Sequence, residues 1–374
     1  MIDLSGLAVV DGHCHPLLRD PWQVSAAAFL DRFSEGRPGT MAAHVPHTGY
    51  FRRAIRDLSE RLGCAPTMDA VLERRRQLGA DGARRLLSGQ RVEALLVDTG
   101  YPPDAMSIEE MRPILGCGIH EVFRIETCAQ RLMLRGLGHE EFLDAFRAEL
   151  VRACERAVAL KSIIAYRSGL AVRRWPATEV ASAYRVIAAQ AAARGSVRLT
   201  DKPLLDTLFQ IALDVCQQAD RPLQVHAGFG DPDVDLPQAN PALLRDVLED
   251  GARAGARIAV LHMAYPYFRE AAFMAAVWPQ VYVDLSLALP FLGPGASLAL
   301  AEMLSLAPSS KLLYGSDVGG LPELFALSAD WGRAALGDAL GWLVERRAIS
   351  EGQAIAIGRA VLAENARALY RLPV

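Results

Sequence analysis

Short apolar runs recur along the chain, each stopped by turn residues and followed by a longer segment with apolar positions at helical spacing. A short continuous apolar run reads as a buried strand, and apolar residues three and four apart read as the inner face of a helix. The runs start at Leu7-Ala8-Val9-Val10 and continue with Val92–Asp98, Ile119–Glu126, Val158–Tyr166, Pro222–His226, Arg257–His262, Val281–Leu285 and Lys311–Asp317. Between and after them the spacing predicts helices over Glu140–Ala157, Pro241–Ala254 and Ala296–Leu306, another after Pro266, and a closing pair, Glu323–Arg346 and Glu351–Tyr370. Strands alternating with helices predict an α/β fold with a parallel sheet. Eight such units predict a TIM (β/α)8 barrel, with the active site at the C-terminal ends of the strands. A doubly wound open sheet is the alternative. It is disfavoured because no Gly-rich fingerprint follows the first strand.

Two segments break the alternation. Residues 20–90 hold three helical stretches, Trp22–Phe33, Tyr50–Leu62 and Met68–Leu87, and no strand, which predicts a helical insertion or lid after the first strand. Residues 175–219 hold two more, Trp175–Ala193 and Lys202–Gln218, a helical excursion after the fourth. Residues 1–374 otherwise read as one unit, without internal repeats or low-complexity tracts.

Composition narrows the function classes. A chain of 374 residues, 51% hydrophobic, accommodates one such barrel with insertions. The formal net charge is −3 and no basic run is present, so nucleic acid is not an expected partner. No uninterrupted apolar stretch is long enough to span a bilayer, and residues 1–4 do not open a secretory signal, so a cytoplasmic protein is expected. The six cysteines are scattered without a C-x-x-C pair, which suits reduced thiols better than a disulfide frame or a cysteine zinc site. A small-molecule substrate is the expected partner, and a homo-oligomer is compatible with the composition.

The polar residues that end the strands carry the chemistry. His13 and His15 are two apart, so in a strand both face one way while Cys14 faces the other. Alone, such a pair could equally be two histidines of a surface turn. His226, His262 and Asp317 end or follow three further strands, and in a barrel those ends surround one cavity. Four histidines and an aspartate without cysteine suit zinc or a similar divalent ion, with a position left for water. Asp98, Arg124 and Glu126 form a polar mouth, as substrate contacts or as a structural ion pair. Lys161 stands in an apolar strand, a costly place for a lysine unless it is paired, exposed or modified. Tyr166 and Arg167 leave the fourth strand toward the cavity. Arginine suits a substrate carboxylate, against a salt bridge within its own loop. His44 and His47 read as a solvated loop; His120 and His139 receive no role.

At these positions the chain resembles the amidohydrolase superfamily. Leu160–Leu170, Val225–Asp231, Leu313–Gly320 and Glu364–Tyr370 are similar to its FluG-like branch. The resemblance implies that His13, His15 and Asp317 bind one ion. It implies that His226 and His262 bind a second or position the substrate. Lys161 would be a carbamylated bridge, against a neutral buried lysine or a partner for a substrate carboxylate. One or two zinc ions are implied, with another divalent ion such as manganese as the alternative. Water on such an ion ionises near a pH of about 7. Asp317 would be its general base and later the acid for the leaving amine, with His262 or the ion polarising the carbonyl. The implied reaction is cleavage of an amide C–N bond in a carboxylate-bearing substrate such as a γ-glutamyl amide, with Tyr166, Arg167, Arg124 and Glu126 as substrate contacts. The rivals are a metal-dependent decarboxylase of the same superfamily and a non-catalytic regulatory barrel. The intact ligand set opposes the second.

Overall fold

A computed structural model describes residues 1–372. Eight parallel strands hydrogen-bond in sequence order: β1 (Val9–Cys14), β2 (Val92–Asp98), β3 (Gly118–Arg124), β4 (Ala159–Ser162), β5 (Leu223–Val225), β6 (Ile258–Val260), β7 (Val281–Asp284) and β8 (Leu312–Leu313). The last strand meets the first through Gly12 N to Tyr314 O (2.9 Å) and Asp317 N to His13 O (2.8 Å). A Cβ on Gly12 would lie 2.9 Å from that same Tyr314 carbonyl, so only glycine lets the two backbones close here. The result is a TIM barrel, with helices packed around it.

The barrel interior is filled by inward side chains, among them Val10, Leu96, Val122, Ala259 and Leu313. The final helical segment closes its floor. It runs as a helix over Glu351–Arg359, widens to a π-helical turn over Ala360–Glu364 and finishes as a helix over Asn365–Tyr370. The wide turn directs the Val361 carbonyl to Tyr314 N (2.9 Å), and Tyr370 reaches the barrel axis fully buried.

The first insertion is tied down by aromatic packing and one buried ion pair. Phe29, Phe33, Tyr50 and Phe51 stack edge to face, and Tyr50 meets Phe291 beyond β7 with ring centroids 4.8 Å apart. Arg75 and Glu323, both 1% exposed, pair at 2.5 Å. Three expected helices differ. Trp22–Phe33 is helical only at Ala26–Leu30 and in a 3-10 turn at Asp31–Phe33. Met68–Leu87 breaks between Arg76 and Gly79, where Gly79 takes φ +59, and its second half, Gly79–Gly89, packs on β2 as a barrel helix. Pro241–Ala254 is a series of short turns. The run Ile119–Glu126 is a strand only to Arg124; a helix, Ile125–Met133, starts at once and takes Glu126 with it.

Candidate metal centre and active site

His13 lies within β1, fully buried, and Asp317 follows β8 in a left-handed conformation with φ +60. The hydrogen-bond chemistry around the first histidine pair fixes which nitrogen is free. Gln224, on β5, donates from Nε2 to the Gly12 carbonyl at 2.7 Å. A carbonyl can only accept, so the other amide atom, 2.8 Å from His13 Nδ1, is oxygen. His13 Nδ1 therefore carries the hydrogen and Nε2 presents a lone pair. Lys161 Nζ, 3.0 Å away, donates to that lone pair. His15 Nδ1 faces another carbonyl, that of Tyr101, at 3.3 Å, which leaves its Nε2 unprotonated too.

Both free nitrogens converge on one carboxylate oxygen. Asp317 Oδ1 is 3.1 Å from His13 Nε2 and 3.4 Å from His15 Nε2. It is buried and, among the described residues, has no hydrogen-bond donor. Burial and the neighbouring Lys161 lower His13 to about 4, so the ring stays neutral at physiological pH. The three ligand atoms lie within 4.8 Å of one another. Two imidazole lone pairs and an ionised carboxylate facing a common point repel one another unless a cation sits among them, so these residues fit a divalent ion.

The other histidines stand beside this group and bond to each other. His262 Nε2 is 2.9 Å from His226 Nδ1, and His262 Nδ1 is 2.9 Å from Ser286 Oγ. Burial lowers both rings well below their ordinary values. His226 Nε2 is buried without a partner among the described residues. The geometry of this pair favours substrate positioning over a second complete ligand set.

Lys161 is 2% exposed and sits between His13 and Asp98, with Nζ 3.8 Å from Asp98 Oδ2. Burial lowers its amine to about 8. Asp98 belongs chiefly to Arg124, whose Nε and Nη2 reach it at 3.0 and 2.6 Å. Burial pushes that carboxyl up, but Arg124 and Lys161 together hold it below the usual range. Arg124 borders the cavity with its guanidinium already engaged, which is the structural ion pair rather than a free substrate contact, and its partner is Asp98 instead of Glu126. Glu126, expected as a substrate contact, is buried and does not line the cavity. Carried inward by the start of its helix, it accepts from Ser162 Oγ (2.6 Å) and Ile163 N (2.9 Å) and braces the exit of β4.

Tyr166 packs against His226 with ring centroids 4.1 Å apart and the planes tilted by 42°. Arg167 borders the same cavity, of about 520 Å³, and its Nε and Nη1 are buried with no partner among the described residues. The loop salt bridge considered for it is absent among those residues. Arg32 and Glu35 of the first insertion also face the cavity. His44 and His47 are exposed and lie off it. Gln224, Ser286 and Glu35 escaped the sequence reading. Gln224 had a signal, since it lies two positions before His226 and so shares its face of the strand.

The structure is thus an eight-stranded parallel barrel that gathers histidines and an aspartate around one cavity at its strand ends, a donor set that suits a divalent ion. Comparison with known proteins assigns the family. The amidohydrolase family model matches residues 129–372. Protein fluG of Emericella nidulans is 34% identical over 398 residues, covering 97% of this chain and 46% of the relative. The chain thus spans about half the length of that relative. A protein from Lactobacillus casei, provisionally assigned as a metal-dependent hydrolase, superposes with a TM-score of 0.87 at 28% identity over 100% of both chains. Uronate isomerase of Thermotoga maritima shares the fold, with a TM-score of 0.68 at 16% identity, covering 98% of this chain and 95% of that one. The chain belongs to the amidohydrolase family.

Proposed function

We propose that this protein hydrolyses an amide C–N bond in a small carboxylate-bearing molecule, with a γ-glutamyl amide as the leading substrate class. The observation that carries the reading is the coexistence, in one cavity, of the His13–His15–Asp317 group and the unpaired guanidinium nitrogens of Arg167. The similarity to fluG agrees with it.

A divalent ion, for which zinc is the first choice and manganese the alternative, supplies Lewis-acid polarisation and a water that ionises near neutral pH. His13 and His15 offer their Nε2 lone pairs without a change of tautomer. Asp317, ionised and at the rim, holds the proton taken from the attacking water at its carboxylate. It then delivers that proton to the departing nitrogen, a step amide cleavage requires because an amide anion is a poor leaving group. Arg167 binds the substrate carboxylate through two parallel N–H donors. Tyr166 and the His226–His262 pair form the wall against which the scissile carbonyl lies, His262 being the closer to His13, with ring centroids 5.6 Å apart.

The test is a panel of γ-glutamyl amides assayed for released amine and, in parallel, for released carbon dioxide. Amine release that depends on added divalent ion and is lost in His13→Ala supports the reading. Carbon dioxide release instead converts the protein to the decarboxylase alternative. No turnover and no bound ion refutes catalysis by this centre.

A further inference from the structure

We infer that Gln224, held in place by Tyr370 on the final helix, is a positioning residue that locks His13 in its metal-binding tautomer and so sets the affinity of the centre. The inference rests on the reading that His13, His15 and Asp317 hold a divalent ion, and it assigns a role to the barrel floor that the reaction itself does not require.

Three fully buried side chains form an unbroken line from the final helix to the centre: Tyr370, Gln224 and His13. Gln224 Nε2 spends both hydrogens, one on the Gly12 carbonyl at 2.7 Å and one on the Tyr370 hydroxyl at 2.9 Å. Its Oε1 accepts from His13 Nδ1 at 2.8 Å. Each bond removes a choice from the next. Were the amide flipped, its oxygen would face the Gly12 carbonyl, and an unsatisfied buried acceptor costs about 1–3 kcal/mol. The backbone of β1 therefore selects the amide orientation, the amide selects the tautomer, and the tautomer leaves Nε2 free. Tyr370 reaches Gln224 because the π-helical turn at Ala360–Glu364 bonds its Val361 carbonyl to Tyr314 N beside β8. Partners that orient a metal-ligating histidine in this way are typically worth about 10- to 100-fold in metal affinity.

The experiment compares wild type with Gln224→Met, which keeps the volume and removes both polar ends. Zinc affinity is read by competition with a chromogenic chelator, and the tautomer of each buried imidazole by nitrogen NMR on the metal-free protein in a Lys161→Met background, because the bond from Lys161 Nζ to His13 Nε2 would otherwise hold the same tautomer. Expected are a single Nδ1–H tautomer for His13 in Lys161→Met, loss of that preference when Gln224→Met is added with the His15 signals unmoved, and about a 10- to 100-fold fall in zinc affinity from Gln224→Met alone. Should Gln224→Met fail to fold, Gln224→Asn keeps a polar floor and withdraws the acceptor by one methylene, and the same fall is expected. A Gln224 variant that binds zinc like wild type, or keeps the Nδ1–H tautomer in the Lys161→Met background, overturns the inference. Wild type that binds no divalent ion refutes the centre itself, a distinguishable failure.

Discussion

Arg124 and Arg167 border the same cavity, and their substitution by methionine should separate a structural charge from a functional one. Arg124 is 11% exposed and makes three hydrogen bonds to Asp98, which is fully buried. Arg124→Met leaves that carboxylate with Lys161, 3.8 Å away, and the Gly100 N–H at 3.0 Å. Breaking one side of a buried pair costs about 3–5 kcal/mol, and the surviving lysine places this case near the lower end. Among the described residues Arg167 has no such partner, so Arg167→Met, which removes buried donors left unsatisfied, should not destabilise the fold. Its cost falls on the substrate instead. A hydrogen bond to a charged group contributes about 1.5–3 kcal/mol, which corresponds to a loss in kcat/KM of about 10- to 150-fold. The assay pairs calorimetric unfolding with kcat/KM for a γ-glutamyl amide and for the same amide with its free carboxylate esterified. Wild type should prefer the free acid, and Arg167→Met should lose that preference. An Arg167→Met protein that melts as early as Arg124→Met, or discriminates acid from ester as wild type does, refutes the assignment.

Three further outcomes follow from the same geometry. Asp317→Asn removes the only charged member of the converging group, so elemental analysis should show less bound ion and turnover should fall by at least about 100-fold. Gly230→Ala places a methyl group against the Tyr166 hydroxyl and 3.0 Å from His226 Cε1, so it should impair kcat/KM about as much as Tyr166→Ala while leaving the ion content unchanged. Burial raises the Asp11 carboxyl to about 8 and the Asp284 carboxyl to about 7. Acids that hold their protons more tightly when folded stabilise most below their unfolded value, about 3.9, and lose that contribution as pH rises through the folded values. Asp98, depressed in the folded state, acts oppositely: its contribution is present above about 3.9 and lost as pH falls below it. The rings of His13, His226 and His262, lowered on folding, oppose this slope below about 6.5, so the slope to follow is that of the difference in melting temperature of the metal-free proteins, Asp284→Asn minus wild type, which should rise from pH about 4 to about 7. A difference that stays flat would rule out this contribution from Asp284.

What could be read from the chain follows the range of the forces involved. The eight strands and most helices were legible because burial patterns repeat within a few residues. His13 and His15 were legible as a pair because alternation is local. Glu126 was misplaced because the apolar pattern of β3 runs straight into the helix Ile125–Met133, and only tertiary packing stops the strand at Arg124. The partner of Arg124 was hidden for a different reason. β2 and β3 register Asp98 opposite Val122, two residues before Arg124, while β3 and β4 register Arg124 opposite Lys161. That stagger is a property of the closed cylinder, and it brings Asp98, Arg124 and Lys161 together although no local pattern links them. The bond from Gln224 to Tyr370 was hidden likewise, since it depends on the wide turn at Ala360–Glu364 inside what reads as one continuous helix.

Lys161 remains the residue on which the number of ions turns, and electrostatics restricts its options. Its Nζ donates to the His13 Nε2 lone pair that a divalent ion would also claim. Two unit charges about 4 Å apart repel by about 4 kcal/mol at an effective dielectric of about 20, and a divalent ion doubles that. An ammonium and an ion therefore do not share this lone pair. Burial already lowers the amine to about 8, so loss of its proton is one way out, and carbamylation, which turns the cation into an anion able to bridge, is the other. If Lys161 is a neutral amine, Lys161→Met should leave the first ion bound at least as tightly as in wild type; if it is a bridging carbamate, the variant loses an anionic ligand and should bind ions less tightly. Elemental analysis then separates the two. Near two ions per chain in wild type and one in Lys161→Met identifies the bridge, whereas one in both identifies a neutral lysine. A Lys161→Met protein that loses its ion when wild type holds only one overturns the charge argument, because an unbridged lysine would then be helping to hold the ion it should repel.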